Sequence, residues 1–113
     1  MKKDELFIEN VIQSELVSQV EQTEKVIDKY FSFTEREKNI ALYFMKSSVI
    51  DCLGKLFGVI DGVSFLDDLS GNDKVKLLIN DKEIQGDLHD IFNEKTESFL
   101  NELNNIKNYL NKQ

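Results

Sequence analysis

TEREKNIALYFMKSSVIDCLGKLFGVIDG, residues 34–62, carries its own start and stop signals. Thr34 and Glu37 stand three apart, the spacing of a capping box. In that arrangement the threonine hydroxyl accepts from the N–H of residue 37, and the glutamate accepts from the N–H of residue 34. At the other end, Asp61-Gly62 reads as a helix stop, because glycine adopts the left-handed conformation without penalty. The spacing predicts a helix from Glu35 to about Ile60. Its apolar residues include Ile40, Phe44, Met45, Val49, Cys52, Leu53, Leu56 and Phe57, and they occupy most of the circumference. A helix this apolar on so many sides belongs in the middle of a fold.

On the N-terminal side, Ile8, Ile12, Leu16, Val20, Thr23, Ile27 and Tyr30 step by three or four residues. This periodicity predicts a first helix from about Asp4 to Phe31. Its weak point is Glu21-Gln22-Thr23-Glu24-Lys25, five polar residues in a row, where a bend or exposure to solvent on all sides is expected. Ser32-Phe33-Thr34 is a connection short enough to make the two helices an antiparallel pair.

On the C-terminal side, residues 61–86 change character and are punctuated by Gly62, Gly71 and Gly86. Val75–Ile79 and Glu83–Gln85 read as two strands. Asn80-Asp81 or Asp81-Lys82 forms the turn, since Asn and Asp tolerate positive φ. Val63–Leu66 is a candidate third strand. Asp87 then reads as the N-cap of a last helix, from Leu88 to about Asn111, with Asp90 in its first turn. Leu88, Phe92, Phe99, Leu103, Ile106 and Leu110 mark its apolar face, interrupted by Lys95.

The expected architecture is mainly α, within the α+β class. Three long helices form an antiparallel bundle, with a small β-hairpin inserted between the second and third. A single domain covers residues 1–113, with the insertion at about 63–86. Helices of roughly 35–42 Å exceed what a chain of this length needs for a radius of gyration of about 13 Å. They are therefore bent, or the molecule is elongated.

Composition narrows the functional classes. The 113 residues include 21 acids and 14 bases, a formal net charge of −7. Phosphate recognition needs a basic footprint, so nucleic acid is not the expected partner. The most apolar stretch, residues 40–60, contains Lys46, Asp51 and Lys55, each costly inside a bilayer, so no membrane span is expected. One cysteine excludes an internal disulfide and a cysteine-based zinc site. The N-terminus lacks the uninterrupted apolar segment of a secretory leader, and the expected location is cytoplasmic. Thirteen lysines to one arginine, with ten asparagines and ten isoleucines, suggest an AT-rich bacterial or phage genome.

Few residues suggest chemistry. His89 lies beside Asp87 and Asp90, but no second histidine exists to complete a usual metal site. Cys52 has Val49, Leu53 and Leu56 around it, so the spacing buries it as a small hydrophobe. Asp61, Asp67, Asp68 and Asp73 do not match a calcium-loop spacing. Gly54 and Gly58, four apart, predict close packing of another helix or a weakened helix end; with Phe44, Cys52 and Phe57 nearby, they also mark where a ligand pocket would lie. No phosphate loop, serine elbow or basic RNA-binding patch is present. The chain reads as a non-enzyme with no cofactor and no metal.

The distribution of charge is the most telling feature. Residues 61–90 hold eight acids and three bases, so five of the seven net negative charges fall there. The acids are Asp61, Asp67, Asp68, Asp73, Asp81, Glu83, Asp87 and Asp90. Such a face attracts a basic protein and speeds its association, although aspartate also gathers in turns and caps for local reasons. The leading expectation is a protein-binding module of the immunity, antitoxin or phage-inhibitor type. The alternative is a self-assembling structural or regulatory helical protein, conceivably a homodimer, supported by the long helices and by Tyr30, Phe31 and Phe33 at one corner.

Overall fold

The computed structural model describes residues 2–62 and 74–111. The elements run α1 (Lys3–Val11), a π-helical segment (Ile12–Val17), α2 (Ser18–Tyr30), α3 (Glu35–Asp61), β1 (Leu78–Ile79), β2 (Lys82–Glu83), α4 (Leu88–Lys95) and α5 (Glu97–Asn111). The protein is mainly helical, with one small antiparallel sheet of two strands between α3 and α4. Asp67, Asp68, Asp73 and the candidate strand Val63–Leu66 lie outside the described residues.

Helix α3 begins and ends where its local chemistry dictates. Thr34 Oγ1 accepts from the Glu37 N–H at 3.1 Å, and Glu37 Oε1 accepts from the Thr34 N–H at 2.9 Å. Gly62 closes the helix at φ 81°. As its apolar circumference requires, α3 touches α2, the π segment, α4 and α5.

The first helical stretch departs from the expected regular helix. The run of apolar residues at Ile8, Ile12, Leu16 and Val20 advances by four. In an α-helix each such step overshoots a full turn by about 40°, so four positions would spiral off one face. The wider π turn across Ile12–Val17 takes back that overshoot. Ile8, Ile12 and Leu16 are all buried, and Val20 packs against the same core. At Glu21–Lys25 α2 continues unbroken, and the stretch is not open to solvent on all sides, since Thr23 and Glu24 are half-buried. Thr23 donates its hydroxyl to Met45 Sδ at 3.2 Å, and Glu24 lies 3.9 Å from the Lys38 ammonium. These contacts with α3 hold the polar stretch in helical form.

The last helix is also broken, so the third long helix of the expected bundle is two shorter ones. Thr96, fully buried, separates α4 from α5. Its hydroxyl donates to the Phe92 carbonyl at 2.7 Å, a local bond that competes with regular helix geometry. Lys95, the polar interruption on the apolar face, reaches Glu9 on α1 at 2.8 Å.

The core forms where α1, the π segment, α3, the hairpin and α4 meet. It contains Ile8, Leu16, Ile50, Phe57, Ile84, Leu88 and Phe92. Phe57 lies 5.2 Å from Phe92 and meets Phe7 edge-on at 6.3 Å. Gly54 lets the Phe92 ring approach, and a Cβ at that position would stand 3.7 Å from it. The molecule extends 48 × 27 × 26 Å, with a radius of gyration of 16.8 Å. It is thus elongated relative to the roughly 13 Å of a compact chain this long. Among the described residues no helix is long and apolar enough to cross a membrane.

Candidate protein-binding site

The hairpin and the start of α4 carry four of the eight acidic residues singled out from the sequence, and a fifth, Asp61, ends α3 beside them. Asn80 at φ 50° and Asp81 at φ 65° form the turn, and both positive angles are those of a type I′ hairpin. The register pairs Leu78 with Glu83 and Ile79 with Lys82. One further ladder bond, from the Ile84 N–H to the Leu77 carbonyl at 2.9 Å, leads the chain into the core. Ile84 is buried there, so the hairpin is anchored on its return side while its tip stays exposed.

Asp61 joins this region to α3. One carboxylate oxygen accepts from the Gly86 N–H and the other from the His89 N–H, both at 2.7 Å. The second of these is among the first-turn N–H groups that α4 cannot satisfy internally. Asp61 therefore caps α4 from 28 residues away. Gly86 sits at φ 129°, a conformation that a side chain would strain. Asp87 occupies the N-cap position as expected, but its side chain makes no capping bond. The capping role expected of Asp87 thus belongs to Asp61.

The remaining acids fall into two groups. Asp87 and Asp90 are exposed on the first turn of α4, beside the Asp61 carboxylate. Asp81 and Glu83 are exposed on the hairpin. Glu83 is partly neutralised, since Lys76 Nζ lies 3.2 Å from it and Gln85 Nε2 donates to it at 3.0 Å. The sequence reading did not foresee Lys76 in that place. His89 Nδ1 lies 3.9 Å from Asp90 and 3.5 Å from Asn93 Nδ2. Among the described residues, no group of three or more His, Cys, Asp or Glu side chains is placed to hold a metal ion.

Two sequence expectations about α3 need correction or refinement. Cys52 is exposed, not buried. The neighbouring helices leave part of α3 uncovered, and Phe44 and Leu56 are exposed there as well. Cys52 lines a shallow groove of about 270 Å³ with Glu15, Gln19, Ser48, Val49 and Leu53. Beside Gly54, where the sequence marks room for a ligand, the ring of Phe92 packs instead. Asp51 is exposed.

Charge pairs elsewhere tie helix to helix. Lys38 reaches Asp28 at 3.3 Å, and that bond holds the lysine above its usual pKa. The bond between Lys95 and Glu9 does the same for Lys95. The Thr34 N–H and hydroxyl hold the Glu37 carboxyl below its ordinary value. Lys46, nine-tenths buried, bonds to Glu102 of α5 at 2.8 Å.

Compared with known proteins, the chain matches no family model, no curated protein and no solved structure.

Proposed function

We propose that this chain is a non-enzymatic protein-binding module that captures a basic protein through the acidic residues of its hairpin and of the start of α4. An immunity protein, an antitoxin or a phage-type inhibitor acts in this way. The observation that supports the reading is the pair of hydrogen bonds that Asp61 accepts from the Gly86 and His89 N–H groups. It fastens the start of α4 to the longest helix and leaves Asp87 and Asp90 exposed on a rigid support. A backbone held in place presents those carboxylates to a basic surface with less ordering left to do on binding. Asp81 and Glu83 extend the negative field along the hairpin, and Asp67, Asp68 and Asp73 belong to the same acidic stretch of sequence.

A pull-down from extract of the source cells, read by mass spectrometry at low and high salt, tests this. The expected result is one basic protein, retained at low salt and released at high salt. Once that protein is purified, a variant carrying Asp81→Asn, Asp87→Asn and Asp90→Gln is expected to bind it more than about tenfold more weakly, as loss of several steering charges predicts. These substitutions keep turn and cap chemistry. Unchanged affinity in this variant would end the acidic-capture reading.

A further inference from the structure

The corner between α2 and α3 combines two features. It exposes large apolar side chains: Val26 is 49% exposed, Tyr30 68%, Phe31 54% and Phe33 41%. Phe31 and Phe33 stack on each other with ring centres 5.2 Å apart, and Lys29 lies 5.1 Å over the Tyr30 ring. The corner is also electrically balanced. Residues 24–38 contain four acids (Glu24, Asp28, Glu35, Glu37) and four bases (Lys25, Lys29, Arg36, Lys38), so the entire net charge of −7 resides elsewhere. Because α3 is the main packing partner of α2 in this region, the tip of the pair stands clear of the core.

We infer that this corner is the contact between two copies of the chain. Two molecules of charge −7 repel wherever their acidic regions meet. They approach at least cost through a face that carries no net charge. A two-fold axis there brings the same patch against itself, as closed dimers require. The charges there are paired within each copy, as Lys38 is with Asp28, and the apolar rings of both copies leave water. A strongly basic partner gains nothing from a neutral patch, which sets this surface apart from the acidic one. The inference does not depend on the acidic-capture reading.

Sedimentation equilibrium of the full chain tests it. The wild type is expected to show a reversible dimer. Its dimerisation is expected to strengthen between about 0.1 M and 1 M salt, as the screening length falls from about 10 Å to about 3 Å and the distant acidic charges cease to repel. Capture of a basic partner weakens over the same range, so the two surfaces are told apart. A variant with Phe31→Ser and Phe33→Ser alters only exposed rings in an extended connection. It is expected to keep the wild-type circular dichroism and to raise the dimer dissociation constant by about 100-fold or more, because four aromatic rings per dimer lose their burial. A wild-type mass of one chain at millimolar concentration would overturn the inference. So would a dimer that is equally tight in the double variant.

Discussion

Asp61 shows how much one carboxylate does when it bridges two elements. Its oxygens hold two backbone N–H groups, one just before α4 and one in its first turn. Removing the acceptor leaves both groups without their partner. Asp61→Ala is therefore expected to cost about 1–3 kcal/mol, the range for stranding such groups. Asp87→Ala is expected to cost well under about 0.5 kcal/mol, as for a surface position, because its side chain makes no capping bond. Urea titration of both variants checks this, and a larger effect for Asp87 would refute the assignment. Asp81 offers the opposite case. It holds φ 65°, which costs a residue with a Cβ. Asp81→Gly is expected to stabilise the hairpin by about 0.5–1 kcal/mol, since Asn-Gly is the preferred pair for this turn.

At the scale of elements, glycine 54 makes a further prediction. Its missing side chain suggests that nothing else fits beneath Phe92. The geometry is more permissive, because a Cβ would stand in ordinary contact at 3.7 Å. Gly54→Ala is then expected to gain about 0.5–1 kcal/mol from helix propensity alone. Gly54→Leu drives the Phe92 ring out of place and destabilises. Thermal melts of both variants decide the matter. Elements governed by neighbours in sequence were legible: the capping box of Thr34 and Glu37, the stop at Gly62, the turn at Asn80-Asp81 and the start of α4. Features that depend on distant contacts were not. The bond of Asp61 spans 25 and 28 residues, and no local signal marks it. The unbroken course of α2 through Glu21–Lys25 is supported by contacts with α3. The break at Thr96 rests on a hydroxyl bond that β-branched residues do not announce by spacing, and the exposure of Cys52 follows from which flanks of α3 are covered. The acidic stretch was legible as composition, but the placement of Lys76 against Glu83 was not.

At the scale of the whole molecule, three titrating groups contribute to the pH dependence of stability. Glu37 is held below its ordinary 4.5, so its contribution is present above that value and is lost as pH falls through the lowered one. Lys38 and Lys95 are held above their ordinary 10.5. Their contributions are full below that value and are lost as pH rises through the raised ones. Resistance to urea is expected to stay level across the neutral range and to fall at both extremes, the acid limb from Glu37 and the alkaline limb from the two lysines. Glu37→Gln keeps an acceptor for the Thr34 N–H without that titration, and is expected to shrink the acid limb alone. A variant that shifts the alkaline limb instead would contradict the assignment.

The grip of Asp61 on Gly86 and His89 has a topological meaning as well. It pins together the two mouths of the connection between α3 and α4, so that connection is a closed ring hung from the helices. The entropy of a ring grows only with the logarithm of its length, and doubling it costs about 0.6 kcal/mol. A peptide tag spliced between Asn80 and Asp81 would enlarge the ring without loosening either mouth. The fold thereby offers a handle for display at an exposed tip, away from the two bonds that fasten α4 to α3.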